Sequence, residues 1–120
     1  MAKLTKHFSS EEFACKCGCG KASIDPNLVA VLEMMRESIG QPLRIASGVR
    51  CHAHNAKVGG KPDSAHLHGK AVDIICTTSR LRHDILDAAY QCGFRRVGIH
   101  SSFIHLDCAE HLPQDVCWVY

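Results

Sequence analysis

Ser64-Ala65-His66-Leu67-His68-Gly69-Lys70-Ala71-Val72-Asp73-Ile74-Ile75-Cys76 is the most informative stretch of this chain. Lys70 to Cys76 alternates and then turns apolar, which predicts a strand. Gly69 allows a turn before it, so that His66 can face the head of the strand that holds Asp73. Upstream, Leu43 to Ser47 reads as a short strand. Gly48 through Ser64 contains Gly59-Gly60 and Pro62 and reads mostly as loop, with one helical turn near His52–Lys57. Asp25-Pro26 is a helix start, with Asp as the N-cap and Pro at the first helical position. Leu28, Val31, Leu32, Met35 and Ile39 follow helical spacing and Gly40 ends the run, so a helix is expected over 26–39. Nearer the N-terminus, Ser9 and Glu12 form a capping box that should start a short helix.

Downstream, Ser79 is expected to cap a helix carrying Leu81, Ile85, Leu86, Ala88 and Ala89, ended by Gly93. Three β-rich segments remain: Arg95–Ile99, Phe103–Asp107 and Val116–Tyr120. Helices and strands do not alternate regularly. The expected class is therefore α+β, a small, mainly antiparallel sheet with helices packed on one face.

The chain has 120 residues, which fits a single domain spanning 1–120 with a Cys-rich N-terminal arm at about 8–22. Hydrophobic residues at 46% and charged residues at 22% exclude a disordered or collagen-like chain. The formal net charge of +2 gives no electrostatic case for nucleic acid or a membrane surface, and no apolar run is long enough to span a bilayer. Eight Cys and nine His are far above ordinary usage. Met1-Ala2-Lys3-Leu4-Thr5-Lys6-His7 has no apolar signal core. The thiols are therefore expected in a reducing compartment, where Cys clusters more often bind metal than form disulfides.

His66 and Asp73 offer an imidazole nitrogen and a carboxylate oxygen, a partial ligand set for catalytic zinc. Phe103-Ile104-His105-Leu106-Asp107 best supplies the third ligand. On an alternating strand His105 and Asp107 share one face while Ile104 and Leu106 meet the core. Two His and one carboxylate leave a fourth position open for water, as catalytic rather than structural zinc requires. Taken singly, each residue also fits a bland role: a solvated loop histidine, or a carboxylate that caps a turn.

The run Ser64-x-His66-x-x-Gly69-x-Ala71-x-Asp73 resembles the signature of the zinc D-Ala-D-Ala carboxypeptidase family. That family includes vancomycin-resistance dipeptidases and phage L-alanyl-D-glutamate endolysins, and shares its fold with the Hedgehog signalling domain. Ser47-Gly48-Val49-Arg50, His54-Asn55 and Val58-Gly59-Gly60 resemble the segment that precedes the signature. Phe103 to Asp107 resembles the strand bearing the last ligand. Cys15-x-Cys17-Gly18-Cys19-Gly20 and Trp118-x-Tyr120 look like compact phage and prophage members. The resemblance covers nearly the whole chain. It implies Zn²⁺ held by His66, Asp73 and His105, and hydrolysis by metal-activated water without a covalent intermediate. It also implies that Arg50 faces the site and holds a substrate carbonyl or carboxylate, for which a planar, always charged guanidinium is suited. Ser64 would bond substrate or shape its own loop, the second being slightly favoured.

Several relatives place Glu or Asp three residues before the last His ligand as general base, and here that position is Ser102. His100 and Asp107 are equal substitutes. Imidazole titrates near working pH. Asp107 shares a strand face with His105, although it also suits a role orienting a ligand or pairing with Arg50.

Cys15, Cys17 and Cys19 are too closely spaced to make a good disulfide set. With Cys51 they form a possible second metal site, against the alternatives of partial disulfides or free thiols. Cys76, Cys92, Cys108 and Cys117 read as buried free thiols. His68 is a rival of His66 for the metal. His7, His83 and His111 read as surface residues, and Arg95-Arg96 as a solvated edge. The leading expectation is a monomeric zinc peptidase acting on peptidoglycan stem peptides, either a D,D-carboxypeptidase or an endopeptidase. It would be cytoplasmic until released, or phage-associated. A zinc-bearing binding module without turnover is the alternative, and a redox or metal-storage protein is a weaker third.

Overall fold

The computed structural model describes residues 2–120. Helix α1 covers Pro26–Ile39. Asp25 caps it by accepting from the Asn27 N–H, and Gly40 ends it in the left-handed conformation at φ 73°. Strand β1 is Ile45–Ser47, helix α2 His52–Lys57 and strand β2 Ala71–Ile75. Helix α3 runs Ser79–Gln91. Strands β3, β4 and β5 are Arg96–Ile99, Phe103–Asp107 and Val116–Val119. Short 3₁₀ turns occupy Ser10–Phe13 and Ala65–His68. The capping box of Ser9 and Glu12 is formed. No helix is long and apolar enough to cross a membrane among the described residues.

The fold is α+β, and its strands form one five-stranded sheet in the order β1-β2-β4-β3-β5, antiparallel except for the β3–β5 pair. Val72, Ile74, Val97, Ile104 and Leu106 line one face. They are fully buried under Leu28, Leu32 and Met35 of α1 and Ile85, Ala88 and Ala89 of α3. Period-two alternation then sends Asp73, Arg96, Gly98, His105 and Asp107 to the opposite face. Register brings the sequence-distant residues together: Asp73 lies opposite His105, and Gly98 lies beside both His105 and Trp118.

Several local readings are corrected. The cap of α3 is Thr78, whose hydroxyl accepts from the Leu81 N–H, and Ser79 is the first helical residue. Either hydroxyl fits the motif, and the extended backbone at Thr78 decides between them. Strand β1 starts at Ile45, after Leu43 has already been buried against the core. Of the four thiols expected to be buried, Cys76 is buried, Cys92 is half-buried, and Cys108 and Cys117 are exposed. Cys117 falls on edge strand β5 and Cys108 just beyond the end of β4, where no layer covers them. His7 is not a free surface residue, because its ring Nδ1 is 2.6 Å from Glu33 of α1. Arg96 is not a solvated edge either. It is 9% exposed and pairs with Asp107, because β3 is an interior strand and its alternation points Arg96 at the polar face.

Candidate metal centre

Three elements meet on the polar face of the sheet. The 3₁₀ turn brings His66, β2 brings Asp73 and β4 brings His105. Gly69 makes the first placement possible. It closes the turn at φ 66°, and a Cβ there would overlap the Ser23 carbonyl oxygen, so only glycine fits. Ser64 caps the turn by accepting from the His66 N–H, which is the loop-shaping contact. His66, Asp73 and His105 are all buried, and one ligand atom from each lies within 4.8 Å of the others.

The hydrogen bonds fix which atoms face inward. The Gly48 carbonyl accepts at 2.7 Å from His66 Nδ1, so that nitrogen carries a proton and Nε2 offers its lone pair. His66 Nε2 stands 3.3 Å from Asp73 Oδ1. His105 Nε2 donates at 2.6 Å to Asp107 Oδ2, which leaves Nδ1 turned to the same Asp73 Oδ1 at 2.9 Å. With neutral rings, two imidazole lone pairs and a carboxylate oxygen converge and nothing donates between them. That arrangement calls for a cation. Tetrahedral zinc with N and O ligands would put donor atoms about 3.3 Å apart, close to the separations found. The donor set thus fits a divalent metal, and each histidine is oriented from behind by a carbonyl or carboxylate, as metal-bound imidazoles usually are.

Electrostatics agree. Burial opposes charge on Asp73, yet His105 and His66 hold its carboxyl well below the usual range. Burial also opposes charge on His105, while Asp107 and Asp73 raise it above the ordinary imidazole value.

Asp107 is 1% exposed and both of its oxygens are engaged. Oδ1 accepts from Arg96 Nε at 2.8 Å and from the Ala109 N–H at 3.1 Å, while Oδ2 takes His105. Its partner is Arg96, not Arg50. Arg50 donates to Ser47 Oγ, Asn55 Oδ1 and Asp73 Oδ2, the last at 3.3 Å. Three of the guanidinium's five N–H groups are thereby used and two remain.

His100 makes its contacts away from the ligand trio. Its ring stacks on Phe103 with centroids 4.5 Å apart, and Nδ1 accepts from the Ser102 N–H at 3.0 Å. Phe103 lies two residues before His105 on the same face, so His100 sits at the rim, about 7 Å along the strand. His68 is turned away and packs edge-on against His111 at 5.0 Å. Sequence reasoning missed Arg96 and the nearness of Trp118, whose ring lies 5.3 Å from His105. The apolar parity of Val97 and Ile99 was the signal for Arg96. A separate hollow of about 490 Å³, lined in part by His7, Phe8, Arg36 and Arg44, contains none of these residues.

Among curated proteins, no match is found. The family model described as Peptidase M15 matches residues 6–107, a span holding all three converging side chains. The chain therefore belongs to the Peptidase M15 family, a family of metallopeptidases.

Proposed function

We propose that this chain is a zinc-dependent peptidase that hydrolyses peptide bonds in bacterial peptidoglycan stems, as a D-Ala-D-Ala carboxypeptidase or as an endopeptidase. The observation carrying the metal-dependent chemistry is the convergence of His66 Nε2, Asp73 Oδ1 and His105 Nδ1, with no donor between them when the rings are neutral. A bound zinc supplies Lewis acidity and an activated water. The substrate class rests on the family and on the groups around the ligands. Arg50 keeps N–H groups free for a scissile carbonyl or a terminal carboxylate. Phe103, Trp118 and Tyr120 offer apolar surface for aliphatic stem residues.

Asp107 orients His105 rather than serving as base, because its oxygens are already committed. His100 handles the proton from the rim across intervening water, since its Nε2 is the one acceptor atom of the two candidates that no described hydrogen bond engages. The alternative of a binding module without turnover has Ser102 in its favour, at the position where relatives carry an acid.

The test is digestion of purified peptidoglycan with zinc-loaded protein, with and without chelator, read by mass spectrometry. New chelator-sensitive termini are expected and would name the bond cut. Intact muropeptides across several wall types, with zinc bound, would establish the binding module instead. In an active enzyme, His100→Gln is expected to lower kcat with metal content retained.

A further inference from the structure

Cys15, Cys17, Cys19 and Cys51 bring one sulfur each to a common point, all within 4.8 Å of one another. Three of the separations are 3.4 Å for Cys15–Cys17, 3.7 Å for Cys17–Cys51 and 3.8 Å for Cys15–Cys51. A tetrahedron of thiolates on zinc, with bonds of about 2.3 Å, puts its sulfurs about 3.8 Å apart. A disulfide needs one pair drawn together to about 2.05 Å and the others left out. The near-equal triangle is the shape of shared coordination, not of pairing.

The chain is built to present these sulfurs. Cys15 N–H closes the loop on the Lys21 carbonyl at 2.8 Å, and Gly18 and Gly20 take positive φ within it. Backbone N–H groups then point at sulfur: Cys51 N–H donates to Cys15 Sγ and His54 N–H to Cys51 Sγ, each at 3.4 Å. Such donors stabilise thiolates rather than thiols. We propose that these four cysteines bind a second zinc ion, a closed structural site separate from His66, Asp73 and His105.

Its consequence is mechanical. Cys15 to Cys19 belong to the N-terminal arm, and Cys51 follows Arg50 directly. The Arg50 N–H bonds the His66 carbonyl at 3.0 Å, and the Val49 N–H bonds the Phe13 carbonyl at 2.8 Å. The metal would staple the arm to the segment that aims Arg50 at Asp73.

The test is metal content and cobalt spectroscopy on the full chain, purified under reducing conditions. Wild type is expected to bind two metals per chain. Cobalt substitution should give near-ultraviolet thiolate-to-cobalt charge-transfer bands. The His66→Ala/His105→Ala variant should keep one metal and those bands. The Cys17→Ser/Cys19→Ser variant changes two exposed positions; it should keep one metal and lose the bands. Absence of thiolate bands in reduced wild type overturns the proposal. So does a disulfide among the four, found by non-reducing peptide mapping of metal-replete protein. Because the wild-type spectrum decides alone, a variant that fails to fold does not blunt the test.

Discussion

Asp107→Asn separates orientation of a ligand from proton transfer. Asp107 accepts three hydrogen bonds: His105 Nε2–H on one oxygen, and Arg96 Nε–H with the Ala109 N–H on the other. An asparagine has one carbonyl oxygen and one NH₂ group, so it can satisfy only one side. If the oxygen stays with Arg96, the NH₂ group faces His105 Nε2. The ring must then accept at Nε2 and carry its proton on Nδ1, the atom that should present a lone pair to the metal. If the oxygen turns to His105, the NH₂ group opposes two donors and the buried guanidinium loses its carboxylate, keeping only the Pro113 carbonyl, at a cost of about 1–3 kcal/mol in stability. Loss of such an orienting partner weakens metal affinity by about 10–100-fold, or about 1.4–2.7 kcal/mol. Trp118 is the only tryptophan and its ring lies 5.3 Å from that of His105, so cobalt titration in a Cys17→Ser/Cys19→Ser background, followed by its fluorescence, reads this site. Urea unfolding of the metal-free proteins measures the stability change separately. The expected result is weaker binding with any residual activity restored by excess metal. Unchanged cobalt affinity combined with lost activity would refute the orienting role and return Asp107 to the position of base.

Gly98→Ala would place a Cβ 2.6 Å from Trp118 Nε1 and move that ring away from His105. An altered near-ultraviolet dichroism and a raised KM with metal content retained are expected; unaltered spectra would show that the ring does not depend on Gly98. Phe13→Ala removes a fully buried ring that packs on Phe8 at 5.7 Å and should cost about 3–5 kcal/mol by urea denaturation. A loss under 1 kcal/mol would mean that the N-terminal arm contributes little packing. Burial works against ionisation of Glu33, but its bonds to His7 hold it at about 2, below the ordinary 4.5. Its contribution to stability is therefore complete above pH 4.5 and fades as pH falls toward 2. Glu33→Gln should flatten the fall in urea midpoint across that window, and a curve parallel to wild type would exclude the effect.

What the sequence determined by itself was local. Asp25-Pro26 and Gly40 bound α1, because caps and backbone restrictions act within a few residues. The alternation of Phe103 to Asp107 assigned Ile104 and Leu106 to the core and His105 and Asp107 to the other face, because the strand period is two. The motif around His66 and Asp73, with Gly69 at its turn, singled out two of the three converging side chains by residue type and spacing alone. Tertiary structure decided everything that depends on which strand lies beside which. The β2–β4 register sets Asp73 opposite His105, and the Gly48 carbonyl and Asp107 choose the ring nitrogens that face inward. Arg96 changed from a solvent-facing charge to the partner of Asp107 because β3 lies inside the sheet. Cys108 and Cys117, apolar in local context, stay exposed because nothing packs over them. A periodic pattern specifies which side of a strand a residue occupies. Only pairing between distant segments specifies what it meets there.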